Sequence, residues 1–350
     1  MQRSLLTAFF TAVLTLAAGA QAPQTATQPG QETSAPVPAP FEEAQDLAAK
    51  GRLDKAMVLL DQLAAHTPEQ AGVERLRGII FYQKEQFPEA IEAFAKAAAQ
   101  DPNDHESIEM RGVSLFRLGR AKEALPFLER AHTAVDRANV DPHYVLGLCY
   151  TDLERYADAR HSFAAQYGFE PDSAEAYLLA GRLFLRREFT AESATEARKA
   201  LEINPNLPLA HQLLGEVALA KADLPTAIHE LEAERKINPL NGVMYDRLGD
   251  AYLRNGQYSE AQQALNRAVL LEPNSTGPYI LLGEAFLKLK QPIQALHYLD
   301  RAVKMDPNNY ITHNLLGQAY KATGQMAEAN RQFKLVVDIQ HAQLPQAPGK

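Results

Sequence analysis

The stretch Gly215–Pro239, GEVALAKADLPTAIHELEAERKINP, decides the fold because its landmarks recur along the chain. Its first glycine, central alanine and closing proline are Gly215, Ala227 and Pro239, each twelve residues after the last. The same three landmarks return 34 residues further on, and again after another 34 residues. A fixed period of this length indicates a stack of short structural repeats.

In-phase glycines extend this period over most of the chain. Every step is 34 residues except the step of 35 between Gly112 and Gly147. The members of this glycine column are Gly78, Gly112, Gly147, Gly181, Gly215, Gly249, Gly283 and Gly317.

Within one repeat, apolar residues follow helical spacing twice. They recur at intervals of three and four from Tyr245 to Tyr252, and again from Tyr258 to Ala268. Gly256 separates the two segments, since glycine adopts the left-handed conformation after a helix at little cost. Pro273 ends the second segment, because the residue before a proline disfavours helical geometry. Each repeat is therefore predicted to be two helices joined by a tight turn.

These columns resemble the tetratricopeptide repeat family. The carrying residues include the glycine column, and three further columns supply the alanines and the prolines. They are Ala90, Ala124, Ala159, Ala227, Ala261, Ala295 and Ala329; Ala97, Ala131, Ala200, Ala268 and Ala302; and Pro68, Pro102, Pro171, Pro205, Pro239, Pro273 and Pro307. The resemblance covers about residues 41–339. It implies an all-α fold, an α-solenoid wound into a right-handed superhelix of about nine helix–turn–helix repeats.

The segments outside the array have their own signatures. Residues 1–22 resemble a secretory signal peptide, with Arg3, an uncharged apolar run and small residues before cleavage at Ala20 or Ala22. We therefore expect an exported protein, periplasmic or secreted, with an uncleaved membrane anchor as the alternative. Residues 23–40 are predicted to be a disordered linker, and residues 340–350 a loose tail.

Composition and motifs argue against catalysis. The net charge is −8, which gives no global basic field for nucleic acid. Zinc-protease, paired-cysteine, phosphate-loop and serine-hydrolase motifs are all absent from the sequence. Cys149, the only cysteine, lies where other repeats have small residues, so it is interpreted as a structural thiol. We expect no enzyme activity, no cofactor and no metal.

Six of the ten histidines fall into two groups, neither of which has metal-ligand spacing. His161, His229 and His297 recur two repeats apart, farther than one metal ion can bridge. A second set stands where the family has an aromatic residue and is predicted to pack at the edge of the core. Its members are His143, His211 and His313.

Three departures interrupt the regular pattern. An extra residue lies within Val135–Pro142, and Pro126 falls inside a predicted helix, where it favours a kink. Gln166 and Glu234 replace alanine in the second alanine column, which predicts looser packing in those repeats. The extra residue is either a hinge or tolerated drift in a modular array.

The family resemblance places a partner-binding groove on the first helix of each repeat. Residues four positions after, one position after and three positions before each glycine share one helical face. Along this face we expect an exposed apolar stripe, flanked by acids in the second half of the array. The candidate groove residues are Tyr82, Phe116, Leu178, Arg182, Leu185, Arg186, Glu216, Leu219, Asp246, Asp250, Leu253, Glu284 and Leu287.

The predicted function is a non-enzymatic scaffold that binds a protein or peptide in this groove. The acidic flanks favour a partner that carries basic residues beside apolar ones. We expect the protein not to bind nucleic acid. The family's carboxylate clamp is not matched at the corresponding positions. The alternative is an assembly subunit that docks or self-associates through its apolar C-terminal helix, with Leu335, Val336, Val337 and Ile339.

Overall fold

A computed structural model describes residues 40–65, 69–132 and 143–343. These ranges contain 18 α-helices and no β-strand. The all-α fold and the α-solenoid architecture are therefore confirmed. The predicted signal segment, residues 23–39 of the linker, the turn Val135–Pro142 and residues 344–350 lie outside the described residues.

The chain divides into two compact units at Gly168. The helices of the first unit are α1 (Pro40–Ala49), α2 (Leu53–Ala64), α3 (Val73–Gln83), α4 (Phe87–Gln100), α5 (His105–Arg117), α6 (Ala121–His132), α7 (His143–Asp152) and α8 (Tyr156–Tyr167). The helices of the second unit are α9 (Ala174–Arg186), α10 (Thr190–Ile203), α11 (Ala210–Ala220), α12 (Leu224–Ile237), α13 (Gly242–Arg254), α14 (Tyr258–Leu271), α15 (Thr276–Lys288), α16 (Pro292–Met305), α17 (Tyr310–Ala322) and α18 (Met326–Gln343).

Two boundaries differ from the sequence-based expectation. Pro40, assigned to the linker, begins α1, and α18 continues to Gln343 through the first residues of the expected tail. Helix α6 continues through Pro126.

Close packing within each helix pair explains the glycine column. A Cβ atom placed at Gly215 would lie 2.6 Å from Leu231 Cγ, and one at Gly78 would lie 2.6 Å from a ring carbon of Phe94. In both pairs the large side chain follows its glycine by sixteen residues, on the second helix. It fills the space that any side chain at the glycine would need. Because protein interiors are close-packed, the first and second helices can approach this closely only at glycine.

The fifth pair reaches the same result with a different residue. Ala197 stands where the other pairs have Leu or Phe. There, Leu213 from the following first helix approaches Gly181 instead, and a Cβ at that glycine would lie 2.9 Å from its Cδ2. The glycine is therefore retained in this pair, but the side chain that fills the space beside it comes from a different helix.

Stacking follows one rule in each unit. Every first helix packs against its own second helix, and within a unit every second helix packs against the next first helix. Successive first helices also contact one another, whereas successive second helices make no comparable contact among the described residues. The first helices therefore line the inner face of the curve within each unit.

Membrane-spanning helices are absent from the described residues: none is both long and apolar enough to cross a bilayer. The helices instead bury one face each. Across the pairs, alanines such as Ala227, Ala261 and Ala295 are fully buried. They allow the second helix to lie close against its neighbours.

The two departures in the second alanine column have a structural reason, and the looser packing predicted there is not the main consequence. Glu234 is fully buried, and its carboxylate accepts hydrogen bonds from the backbone N–H groups of Leu209 (2.8 Å) and Gln212 (3.3 Å). In the fourth pair, Gln166 Oε1 accepts a hydrogen bond from the Tyr144 backbone N–H at 3.2 Å. Both side chains thus satisfy backbone donors at the start of the first helix of their own repeat.

Four other first helices receive such a bond from a capping residue that directly precedes the helix. Asp104, Ser173, Asn241 and Asn309 each accept a bond from a backbone N–H in the first turn. Leu209 stands at that position before α11 and cannot cap, and its φ of 73° is left-handed. Because the first N–H groups of a helix need an acceptor, Glu234 supplies from the second helix what Leu209 lacks.

We expect Glu234→Ala to lower the free energy of unfolding by about 2 kcal/mol, because two buried N–H groups would lose their acceptor. Denaturant unfolding followed by circular dichroism measures the change. Glu234→Gln is the matched control and should lose less, since its amide oxygen still accepts a bond. An alanine variant as stable as the parent would contradict the capping role.

Candidate partner-binding face

The structure places the candidate residues of the second unit on helices α9, α11, α13 and α15. Successive first helices contact one another in this unit, so their candidate residues form one continuous face. We call this surface the first-helix face. Its members differ in exposure: Leu219 and Leu253 are buried, and the other candidates are half-buried or exposed.

The apolar candidates are packed rather than displayed. Tyr82, Leu219 and Leu253 are only 8%, 9% and 7% exposed. Leu253 belongs to a core cluster with Leu282 and Leu315 from the next two first helices. The expectation of a continuous exposed apolar stripe is therefore wrong. The physical reason is that Leu219 and Leu253 lie between neighbouring first helices.

The remaining apolar candidates are half-buried. Phe116, Leu178, Leu185 and Leu287 keep part of their surface exposed. Leu287 packs against the same core cluster as Leu253. These residues form the floor of the face rather than a free hydrophobic strip.

In the first unit, Tyr82 is held by its own surroundings. Its ring lies edge-on to Phe87, with 5.4 Å between ring centroids, and its hydroxyl accepts a hydrogen bond from Arg117 at 3.2 Å. Burial is the main cause that raises the pKa of Tyr82. These contacts give Tyr82 a structural role in packing the second and third pairs.

The acidic candidates keep part of their surface exposed. Glu216, Asp246, Asp250 and Glu284 lie half-buried on three successive first helices. Asp246 and Asp250 are both on α13, four residues apart, so they share one side of the helix. Like charges at this spacing destabilise a helix, so the pair lowers the stability of α13.

Asp246 is the most constrained of these carboxylates. Its side chain is 17% exposed, and Oδ2 lies 3.2 Å from Arg247. Its second oxygen, Oδ1, is buried without a hydrogen-bond partner. Burial raises the pKa of Asp246; Arg247 opposes the shift and the Asp250 carboxylate adds to it. The negative charge of Asp246 is therefore only partly compensated by Arg247.

A buried polar chain positions Glu216. Gln212, 2% exposed, donates to Glu216 Oε1 at 2.7 Å and accepts from Asn241 at 2.6 Å. Asn241 in turn caps α13. The orientation of Glu216 is therefore linked to the start of the next first helix. Sequence reasoning missed Gln212 and Asn241, because the contact joins residues 29 positions apart.

Sequence reasoning also missed the exposed apolar residues of the face. Val243 and Ile311 are 44% and 46% exposed and lie six positions before the glycines of their helices. Val243 is three residues before Asp246 and seven before Asp250, so all three share a helical side. The same spacing rule that selected the acids could have found it.

The basic candidates lie at the beginning of the second unit. Arg182 is half-buried, with one terminal nitrogen, Nη1, buried without a hydrogen-bond partner, and Arg186 is exposed. Both are on α9, four residues apart. The first-helix face therefore changes from basic on α9 to acidic on α11, α13 and α15.

Two surface cavities lie away from this face. One, of about 480 Å³, is lined by residues of α12, α13 and α14 that include Tyr245, Tyr252 and Arg267. The other, of about 440 Å³, has Tyr279, Tyr298 and Arg301 in its lining. The described residues include no group of three or more histidine, cysteine or carboxylate ligands that could hold a metal ion.

Two of the aromatic-position histidines, His211 and His313, form hydrogen-bond contacts within their own helix pairs. His211 Nδ1 lies 2.7 Å from a Glu230 oxygen. The ring nitrogens of His313, which is 5% exposed, lie 2.7 Å from Gln332 Oε1 and 2.9 Å from the Pro307 carbonyl oxygen. Both histidines join the two helices of their own pair. Cys149 is buried, as its position among small residues predicts.

Comparison with protein families finds one recurring match. Models described as tetratricopeptide repeat match residues 41–105, 144–208, 244–275 and 286–347. A model described as anaphase-promoting complex, cyclosome, subunit 3 matches residues 83–166.

Individual proteins are more distant. Peroxisome biogenesis protein 5 of Arabidopsis thaliana is 29% identical over 156 residues, which are 43% of this chain. The matched region spans about a fifth (20%) of the length of that relative. MamA from Desulfovibrio magneticus RS-1 has a TM-score of 0.46 at 23% identity, over 49% of this chain and 97% of its own. YrrB, described as a TPR protein with an unusual peptide-binding site, has a TM-score of 0.47 at 21% identity, over 53% of this chain and 95% of its own.

We expect Asp246→Asn to raise the free energy of unfolding at neutral pH by about 0.5 kcal/mol, because it removes a like-charge pair on α13. The pKa of Asp246 is raised in the folded protein, so the ionised carboxylate destabilises the fold as the pH rises above the ordinary value of 3.8. The gain should therefore disappear as the pH falls toward that value.

Urea unfolding at several pH values checks this expectation. Glu202→Gln, at an exposed site on α10, is the control and should leave stability unchanged at each pH. A loss of stability in the Asp246→Asn protein at neutral pH would show that the carboxylate supports the fold.

Proposed function

The chain belongs to the tetratricopeptide repeat family, and we propose that it is a non-enzymatic scaffold that binds a peptide or protein segment along the first-helix face. Members of this family act through interactions that a repeated surface provides, and the fold alone does not name the partner. The proposal therefore rests on the chemistry of the face in this chain.

The observation that carries the proposal is the acidic pair on α13. Asp246 and Asp250 share one side of the helix; Asp246 Oδ2 lies 3.2 Å from Arg247, Asp250 Oδ2 lies 3.4 Å from Arg254, and the second oxygen of Asp246 is buried without a hydrogen-bond partner. Like charges at this spacing repel each other in the free protein. A basic side chain from a partner would add a further countercharge at the exposed part of the pair, and a charge-assisted hydrogen bond is stronger than a neutral one.

The partner should combine basic and apolar residues. Glu216 and Glu284 extend the negative charge to the neighbouring first helices, so a partner with several basic residues would meet one acid after another. Val243 offers exposed apolar surface on the same side of α13 as Asp246 and Asp250. An extended or helical segment fits a face of this kind, since both present side chains at regular intervals.

The burial pattern decides which substitutions can test the proposal. Leu219 and Leu253 are core residues, so charged substitutions there would unfold the unit and remove binding for the wrong reason. The half-buried acids can be neutralised without loss of volume. The test therefore uses Asp246→Asn, Asp250→Asn and Glu284→Gln together.

We expect peptides selected from a random display library by the parent protein to be rich in basic and apolar residues. The triple acidic-face variant should bind those peptides at least about tenfold more weakly, measured by titration calorimetry, because truncating one partner of a charged hydrogen-bonded pair costs more than 1.4 kcal/mol.

The control variant neutralises three exposed acids elsewhere in the same unit: Glu170→Gln, Glu202→Gln and Glu260→Gln. It makes the same change of net charge and should retain binding. Equal affinity of the acidic-face variant and the parent for the selected peptides would reject the first-helix face as the binding site.

We also propose that the chain is exported to a periplasmic or extracellular location. The proposal is supported by the apolar run and small residues of segment 1–22. Amino-terminal sequencing of the protein purified from its native cells tests it, since export with cleavage predicts a first residue at 21 or 23.

A second candidate function is assembly through the C-terminal helix. Val336 occupies the second alanine column of the last repeat and is half-buried, whereas Ala268 and Ala302 at that position are fully buried. Leu335 and Val337 are 36% and 50% exposed. No further helix follows α18 within the described residues, so its apolar surface is available to a second copy of the chain.

If this candidate is right, the protein should be dimeric in multi-angle light scattering, and Leu335→Lys with Val337→Lys should make it monomeric. Asn330→Lys with Gln340→Lys adds the same charge at exposed polar positions of the same helix and should leave the dimer intact. A parent protein that stays monomeric at the highest accessible concentration would exclude this assembly.

A further inference from the structure

The turns that join first and second helices carry basic residues in the second unit. In the last three pairs these turns are residues 253–258, 287–292 and 321–326. They contain Arg254, Lys288, Lys290 and Lys321, all exposed, and no acidic residue. We call this surface the basic turn edge. The two preceding turns continue it with Arg186, Arg187 and Lys221, although Glu188 and Asp223 accompany them.

The opposite edge of the same unit has the opposite charge. It consists of the turns that lead from one pair into the next, residues 169–176, 203–210, 237–244, 271–278 and 305–312. These ranges contain no lysine or arginine, although the exposed Lys236 and Lys304 directly precede two of them, and their acids are Glu170, Asp172, Glu175, Glu272 and Asp306. The second unit is therefore more basic at one edge than at the other, although the whole chain is acidic.

The lysines of the basic turn edge are uncompensated. Among the described residues, no ion pair joins Lys288, Lys290 or Lys321 to a carboxylate, and Arg254 lies 3.4 Å from Asp250. Lys290 stands at the tip of its turn with a left-handed φ of 59°. Their ammonium groups therefore remain available to an anionic surface.

Two apolar side chains project at the same edge. Ile293, the second residue of α16, is 72% exposed, and Met326, the first residue of α18, is 51% exposed. Each adjoins one of the basic turns in sequence. Basic residues beside a few exposed apolar ones are the combination that peripheral membrane surfaces use.

We propose that the basic turn edge docks the protein on an anionic phospholipid surface. A flat layer of negative charge attracts the basic edge and repels the acidic edge, so it orients the whole unit, which a small acidic ligand would not do. Two exposed apolar residues are too few for the packed centre of a protein–protein interface, but they suffice to enter the headgroup region. Each basic residue near such a surface strengthens binding by roughly fivefold.

This orientation leaves the first-helix face with a separate role. The acids of that face lie on the bodies of the first helices, whereas the docking residues lie in the turns. Apart from Arg186, which belongs to both surfaces, docking on lipid and binding of a basic partner use different residues and opposite charges. The two proposals can therefore fail independently.

The test is flotation of the full chain with phosphatidylcholine vesicles that contain or lack phosphatidylglycerol. The apolar segment 1–22 is common to all variants, so the readout is the difference between anionic and neutral vesicles. We expect binding to the anionic vesicles to be at least about tenfold stronger than to the neutral ones and to weaken as salt is added.

The decisive variant is Lys288→Glu with Lys290→Glu. Glutamate is tolerated at position 290, because Glu85, Glu154 and Glu188 occupy the equivalent turn position with φ of 58°, 59° and 67°. At the equivalent of position 288, another repeat has an acidic residue, Asp152. We expect this variant to lose at least about tenfold in binding to anionic vesicles, with an unchanged circular dichroism spectrum.

The matched control is Lys236→Glu with Lys304→Glu, which makes the same charge change at exposed lysines near the ends of α12 and α16. It should retain binding within about twofold, since neither lysine lies on the basic turn edge. Equal binding of the parent protein to anionic and neutral vesicles, or an equal loss in both variants, would overturn the proposal. Vesicle binding should survive in the triple acidic-face variant, which separates this test from that of the proposed function.

Discussion

The close approach of two helices at a glycine is the contact on which this structure depends. At Gly215 a leucine from the second helix fills the space of a missing side chain, and at Gly78 a phenylalanine does so. Each pair gains a compact core from this one contact, but it leaves one apolar side open. Stacking of the next pair covers that side, so the array extends by addition of similar units.

The same close packing decides which residues can meet a partner. Successive first helices touch, so Leu219 and Leu253, four positions after their glycines, become part of the core. Polar residues elsewhere on those helices keep part of their surface accessible, as Asp250 does. We therefore expect the protein to recognise a partner through charged side chains held at a fixed spacing, next to the half-buried apolar residues of the first-helix face.

Hydrogen bonds between the two helices of a pair allow the array to tolerate the loss of a capping residue or of an alanine in the second alanine column. The start of α11 lacks a capping side chain at Leu209, and Glu234 provides the acceptors from the second helix. Gln166 supports the start of α7 in the same way. At Gln166 and Glu234, the close packing of an alanine is thus replaced by hydrogen bonds to the start of the first helix.

The sequence by itself determined the repeat length, the helix pairs and their turns, since Gly256 and Pro273 mark the ends that α13 and α14 have. It also determined which residues share a helical face, because that follows from spacing along one helix. Only the tertiary structure decided that Leu219 and Leu253 are buried, that Glu234 accepts a hydrogen bond from Leu209, and that Asn241 donates one to Gln212. Each of these depends on contacts between helices that are distant in sequence, and the distance and rotation between packed helices are set by side chains from both partners.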